Sequence, residues 1–311
     1  MLLTGMLLLP GCAVRQRVAL PATARATAWK NATLAELVER VREQQQAIET
    51  FQATVEIEPS VTSVEREEIV RYRDVRAFIL IRRPAWLRLI GLYPVARTTA
   101  FDMASNGEGF GLYIPLRNRF IIGNSHEANR DRNGGTQSGA ASDRSDRTRT
   151  ASETERTLEN LRPQHLLDAL LWEGPAPGQE QAVLEVRNEG ATSYYIVHIL
   201  RAAGERGLVL ARNLWFERRN LSLERLQIFD PTGEEITDAR YLDYADFSGI
   251  PYPQKITIDR PKDRYGLALT VTKLEFNLPL EDEKFRLQQP PGSELRNLEE
   301  LSPAEQANTV G

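Results

Sequence analysis

The sequence has little of the chemistry that disulfide frameworks and metal centres need. Its 311 residues include one cysteine and three histidines. A single cysteine excludes an intrachain disulfide and a cysteine-rich zinc site. His126, His165 and His198 share no spacing typical of metal ligands. We therefore predict neither a metal nor a cofactor.

The chain also lacks an excess of positive charge and the local motifs of common enzymes. Its 39 lysines and arginines face 43 aspartates and glutamates, for a formal net charge of -4. Nucleic-acid binding needs clustered positive charge, so no nucleic-acid partner is expected. No GxSxG, HExxH or Walker motif occurs, and the predicted function is not enzymatic. A hydrolase stays open only as a hypothesis in which His165 or His198 meets buried carboxylates.

A short apolar run opens the chain, from Leu2 to Leu9, and is too short to span a bilayer. Because small residues follow it, it predicts a signal peptide over residues 1–11. The segment from Leu9 to Cys12 resembles the lipobox of bacterial lipoproteins, which implies a lipid anchor on Cys12. Residues 12–30 would then be the lipidated cysteine and a tether. The alternative is that Cys12 lies in an ordinary signal peptide or a buried strand.

The hydrophobic pattern predicts one amphipathic helix followed by many strands. TLAELVERVREQQQAIETF places apolar residues on one helical face, and Thr33 with Glu36 forms a capping-box pattern at its start. From Phe51 the period changes to two, and similar short apolar runs recur towards the carboxyl terminus. Most connections are too short for crossover helices, which favours an antiparallel sheet.

Two details of strand pairing are predicted. Asn106-Gly107 is a strong hairpin turn, so Ser105 should pair with Glu108 and Met103 should face Phe110. Near the carboxyl terminus, the apolar phase of LALTVTKLEFNL slips by one residue. This slip predicts a β-bulge near Thr272 or Lys273.

Three further segments are predicted from composition and pattern. Residues 127–157 contain no aliphatic residue larger than alanine and no aromatic residue, which predicts a disordered polar insertion. RPQHLLDALLW predicts a short helix near 164–172. Residues 291–311, after a Pro-Pro-Gly sequence, are expected to form a flexible tail.

Several motifs resemble one family of bacterial envelope proteins. RRPAWLR, at Arg82 to Arg88, and FDMASNGEGFGLYIPLRNRFIIG, at Phe101 to Gly123, are similar to sequences of an uncharacterised branch of the LolA/LolB-type lipoprotein-sorting family. The segments FDPTG, YLDYADFSGIPYPQKITI and LEFNLPLEDEKFRLQQP resemble its closing strands. The resemblance implies a mainly β (α+β) fold over residues 31–290: a strongly bent antiparallel sheet that forms an incomplete barrel, covered by the two predicted helices.

The resemblance also implies a function. Acyl chains of lipids or lipoproteins would bind the concave face of the half-barrel, and the protein would be anchored at the periplasmic face of the outer membrane. The resemblance implies this location because Ala13 follows Cys12, whereas Asp at that position retains a lipoprotein in the inner membrane in the enterobacterial pattern. Whether this face is an open cavity or a filled core stays open. The alternative function is an assembly lipoprotein that binds an envelope protein partner. The candidate lining residues are Phe101, Met103, Phe110, Leu112, Ile114, Leu208, Leu210, Ile256 and Ile258.

Overall fold

The computed structural model describes residues 29–63, 68–71, 75–93, 98–125 and 161–298. Cys12, His126 and the predicted insertion at 127–157 lie outside these ranges. The described chain contains two α-helices, α1 (Leu34–Ala47) and α2 (Pro163–Leu170), and a 15-stranded sheet. The strands are β1 Thr50–Ser63, β2 Glu68–Arg71, β3 Val75–Arg82, β4 Trp86–Leu92, β5 Thr99–Asn106, β6 Gly109–Ile114, β7 Arg119–Asn124, β8 Glu180–Glu189, β9 Thr192–Ala202, β10 Leu208–Glu217, β11 Leu223–Phe229, β12 Glu235–Phe247, β13 Ile250–Arg260, β14 Tyr265–Phe276 and β15 Glu294–Asn297.

The sheet is curved and open, as the sequence predicted. Its strands follow the order β15-β7-β6-β5-β4-β3-β1-β14-β13-β12-β11-β10-β9-β8, and β2 pairs with β1. All described pairs are antiparallel except β15 with β7. The two end strands, β15 and β8, do not pair with each other, so the barrel is incomplete.

Strand β15 corrects the predicted flexible tail over its described part. Glu294 to Asn297 pair in parallel with Arg119 to Ile122. The Asn118 side chain donates to the Gly292 carbonyl at 2.8 Å, and the Glu294 N–H donates to the Asn118 carbonyl at 2.8 Å. The Pro-Pro-Gly sequence therefore turns the chain onto a sheet edge.

Helix α1 begins at the predicted capping box and ends earlier than the apolar pattern suggested. The Thr33 N–H donates to the Glu36 carboxylate at 2.7 Å, and the Glu36 N–H donates to the Thr33 hydroxyl at 3.3 Å. Helical backbone stops at Ala47, because Ile48 is already extended. Phe51, expected on the helical face, lies in β1 between β3 and β14.

The β5–β6 hairpin forms at the predicted place with a register two residues away from the prediction. Met103 pairs with Leu112, not with Phe110, and Ser105 pairs with Phe110. The Asn106 side-chain oxygen accepts from the N–H groups of Glu108 and Gly109, both at 3.0 Å. This local turn makes Gly107 and Glu108 the loop residues. A shift of two leaves each side chain on its predicted face.

The predicted β-bulge is confirmed. Thr54 of β1 pairs with Lys273 and Val55 pairs with Val271, so Thr272 is the extra residue of β14. The Thr272 hydroxyl donates to the Thr54 carbonyl at 3.0 Å. Because the bulge absorbs one residue, apolar side chains on both sides of it reach the core.

One hydrophobic core joins the concave face of the sheet to both helices. Leu37 and Val41 of α1 and Leu166 and Leu167 of α2 belong to the same buried cluster as side chains from most strands. No helix within the described part of the chain has the length and apolarity to cross a membrane.

Candidate functional site

Helix α2 and the strands beneath it form the candidate site. Pro163 occupies the first turn, where its missing N–H is not needed. Leu166, Leu167 and Leu170 are at most 5% exposed and press the helix onto the concave face. The helix is short, so its stability comes from this packing and not from intrinsic propensity.

Two buried tyrosines bind the last turn of α2. The Tyr241 hydroxyl of β12 donates to the Ala169 carbonyl, and the Tyr252 hydroxyl of β13 donates to the Leu170 carbonyl, both at 2.8 Å. Carbonyls in the last turn of a helix lack intrahelical partners, and these hydroxyls supply them. Burial raises the pKa of both tyrosines, so each keeps its proton. Trp172, just after the helix, stacks on Tyr252 with ring centroids 5.8 Å apart.

The start of α2 is held by His165. Arg260 donates to His165 Nε2 at 2.8 Å, and His165 Nδ1 lies 2.5 Å from the Tyr265 hydroxyl. Because arginine can only donate, Nε2 is the acceptor and Nδ1 carries the proton. Burial, together with the charges of Arg260 and Arg162, lowers the pKa of His165 well below its ordinary value. His165 is therefore a neutral structural group.

Arg260 is itself almost fully buried, with 3% of its surface exposed. Besides His165, it binds the Thr237 hydroxyl at 2.5 Å and the Asp263 carboxylate at 2.8 Å. Four strand residues thus bind α2 through their polar side chains: Tyr241, Tyr252, Arg260 and Tyr265.

A small cavity with a mixed polar and apolar lining lies beside α2. Its volume is about 100 Å³, and it is lined by Asp168, Leu171, Glu173, Glu180, Arg201, Ala211, Arg212, Leu226, Ile228 and Phe229. Burial raises the pKa of Asp168 to about 6, and the Gln164 side chain donates to its carboxylate at 2.5 Å. Opposite, Arg212 pairs with Glu180 at 2.5 Å. Ligand pockets are typically about 300–1,000 Å³, so this cavity is too small for an acyl chain.

Seven of the nine candidate lining residues lie together in the core. Each is at most 5% exposed, and all belong to the cluster that includes both helices: Phe101, Met103, Phe110, Leu112, Ile114, Ile256 and Ile258. The Phe101 ring occupies the space that Gly91, without a side chain, leaves opposite it. The packing at these residues is that of a filled core.

Leu208 and Leu210 do not join this group. Leu208 is 49% exposed, and both residues are absent from the buried cluster. The reason is a second bulge: Leu210 pairs with Leu200 and Arg212 with Ile199, which leaves Ala211 as an extra residue. Because of the extra residue, the side chains of β10 that precede the bulge point to the faces opposite to those expected from unbroken alternation. Leu210 therefore points away from the concave side.

The other candidate groups are engaged in structural contacts. His198 lies on the convex face, where its ring nitrogens are 2.8 Å from Glu185 and 2.7 Å from Asn213. Arg82 pairs with Asp282 at 2.7 Å, and Arg83 donates to the Ile48 carbonyl at 2.8 Å. Both arginine side chains therefore have protein partners. Within the residues that the structure describes, no group of three potential metal ligands comes together.

Sequence reasoning missed the residues that hold α2. Tyr241 and Tyr252 stand in the alternating runs YLDYADF and IPYPQKI, which identify them as strand residues. Their hydroxyl groups reach α2 across 72 and 82 residues of sequence. The alternation of apolar and polar residues in these runs places both rings on the core face. It does not indicate that their hydroxyl groups bind a helix.

Comparison with known proteins gives likeness in fold at low sequence identity. No family model and no curated protein matches the chain. A LolA superfamily protein from Nitrosomonas europaea is 12% identical, with a TM-score of 0.48 over 83% of this chain and 99% of the other. A putative outer membrane lipoprotein-sorting protein domain from Vibrio parahaemolyticus is 11% identical, with a TM-score of 0.47 over 81% and 95%.

A third solved structure, a DUF1329 family protein from Desulfovibrio piger, is 12% identical, with a TM-score of 0.47 over 80% of this chain and 94% of the other.

Proposed function

We propose that the protein is a non-enzymatic envelope lipoprotein that binds or receives acyl chains of lipids or lipoproteins on the concave face of its sheet. One observation carries the proposal: α2 covers the buried apolar cluster with leucine side chains. Hydrocarbon can replace leucine side chains on such a surface because the interaction is non-directional and scales with apolar area, at roughly 25 cal/mol per Å².

The contacts of α2 support the same proposal. Besides its leucines, the helix accepts hydrogen bonds from the Tyr241 and Tyr252 hydroxyls and donates one from His165 to the Tyr265 hydroxyl. Each of these bonds contributes about 1 kcal/mol net. An acyl chain would enter by displacing α2, because the described cavity beside the helix is too small to hold it. The predicted lipid anchor at Cys12 and the periplasmic face of the outer membrane are part of this proposal and rest on the lipobox resemblance.

Native mass spectrometry tests the proposal. The full chain with Cys12→Ser would be purified without detergent, and we expect a lipid-sized adduct. Leu112→Ala creates space in the core and should change the amount of lipid retained. Leu242→Ala is the matched control, since Leu242 is 52% exposed. Wild-type protein that is always empty would contradict the proposal.

The second candidate function is a platform that binds an envelope protein. The filled packing of the seven core residues favours it, as does the exposed edge strand β8. Empty protein in the mass spectra, combined with specific crosslinks to one envelope protein in cells, would establish this alternative instead. The two functions are therefore separated by whether lipid is retained.

A further inference from the structure

Strand β8 ends the sheet, and no described strand pairs with its outer edge. It is ten residues long, EQAVLEVRNE, and contains no proline. Edge strands present unpaired backbone N–H and C=O groups that can pair with another chain. At the opposite end, β15 has only four residues. The β8 edge is thus the longer of the two terminal edges.

Six of the ten residues of β8 are exposed. Val183 and Val186 are each 51% exposed. Glu185 and Arg187 lie on the convex face, two residues apart, with a contact of 2.8 Å between them. This spacing of opposite charges allows the strand to complement a second copy of itself.

We propose that β8 pairs antiparallel with β8 of a second copy, around a two-fold axis at Val186. Residues 183–189 of each copy are then opposite one another. Glu185 faces Arg187 of the second copy, and by symmetry the reverse pair also forms. Val186 faces Val186 of the second copy, which covers an exposed apolar side chain in both. This is an isologous interface, the kind found in most homodimers.

Charge selects this register over its neighbours. A two-fold axis at Glu185 places Glu185 opposite itself, and an axis at Arg187 places Arg187 opposite itself. Like charges directly opposite each other destabilise a strand pair. An interface made of one strand pair buries less surface than a standard interface, which buries about 1,600 Å². We therefore expect a reversible dimer that forms at micromolar or higher concentration. The dimer does not depend on acyl-chain binding.

Sedimentation velocity of the full chain with Cys12→Ser, over a range of concentrations, tests the inference. Glu185→Arg and Arg187→Glu each place like charges opposite each other, and each should weaken dimerisation at least tenfold. The double variant with both substitutions restores opposite charges and should recover it. Glu56→Arg is the control, because Glu56 is exposed on the central strand β1.

The double variant also separates dimerisation from folding. Both it and Glu185→Arg lose the Glu185 contact with His198, so the loss of that contact does not explain a difference in dimerisation between them. A wild-type monomer at all concentrations would overturn the inference. So would dimerisation that neither single variant weakens, or a double variant that recovers none of it.

Discussion

Asp168 carries a carboxyl group that α2 holds against the sheet. The cavity beside it contains Glu173 and Glu180 together with Arg201 and Arg212. Burial is the largest effect on Asp168 and raises its pKa from 3.8 to about 6. The protonated form is therefore favoured by folding, which links the stability of the α2 region to pH.

The sign of this link gives a prediction. A carboxyl group with a raised pKa stabilises the folded state most below pH 3.8, and the contribution is lost as pH rises through about 6. For Asp168→Asn, the excess stability of wild type over the variant should fall from about pH 4 to about pH 7, by at most about 3 kcal/mol. Urea unfolding at several pH values measures it. An excess that grows with pH would contradict the prediction.

For individual residues, the sequence predicts the faces of apolar side chains better than the contacts of polar ones. Phe101, Met103 and Ile256 were placed correctly on the core side because alternation alone fixes the face of a strand residue. The roles of His165 and Arg260 could not be predicted. Their hydrogen bond joins residues 95 positions apart, and only the tertiary fold brings them together.

The strands show which element-level features can be predicted from sequence. The bulge at Thr272 changes the phase of a long apolar pattern, so it is visible in the sequence. Only three apolar residues of β10, Leu208, Val209 and Leu210, precede the bulge at Ala211, and three consecutive apolar residues do not define a phase. The β5–β6 register depended on a choice between two adjacent turns, which the Asn106 side chain decides.

Deletion of Thr272 tests the importance of the β14 bulge. Without the extra residue, side chains on one side of the bulge would turn out of the core, among them Leu274 or Val271. We expect a loss of more than about 4 kcal/mol, which is typical of severe core disruption. Thr272→Ala keeps the chain length and should cost only about 1 kcal/mol, from the hydrogen bond to Thr54.

Thermal unfolding followed by circular dichroism measures both variants. A deletion that is no more destabilising than Thr272→Ala would show that β14 tolerates either register. That result would contradict the conclusion that the bulge is needed for apolar side chains on both sides of it to reach the core.

For the whole molecule, the open sheet needs cover on its concave face. A closed barrel fills its interior with its own strands, whereas this sheet relies on α1 and α2 to exclude water from one large apolar cluster. The backbone hydrogen bonds that pair the strands involve neither helix. Displacing α2 would therefore leave the sheet itself paired, and this property makes the concave face a candidate for hydrocarbon.

The central claim is that acyl chains bind where α2 now lies. Its most direct test is titration of the protein with a fluorescent fatty acid. The double variant Tyr241→Phe with Tyr252→Phe removes two hydrogen bonds to α2, together worth about 2 kcal/mol, and should tighten apparent binding up to about 30-fold. Tyr244→Phe is the control, because its hydroxyl binds the Leu223 carbonyl and not α2. Unchanged or weaker binding by the double variant would contradict the claim.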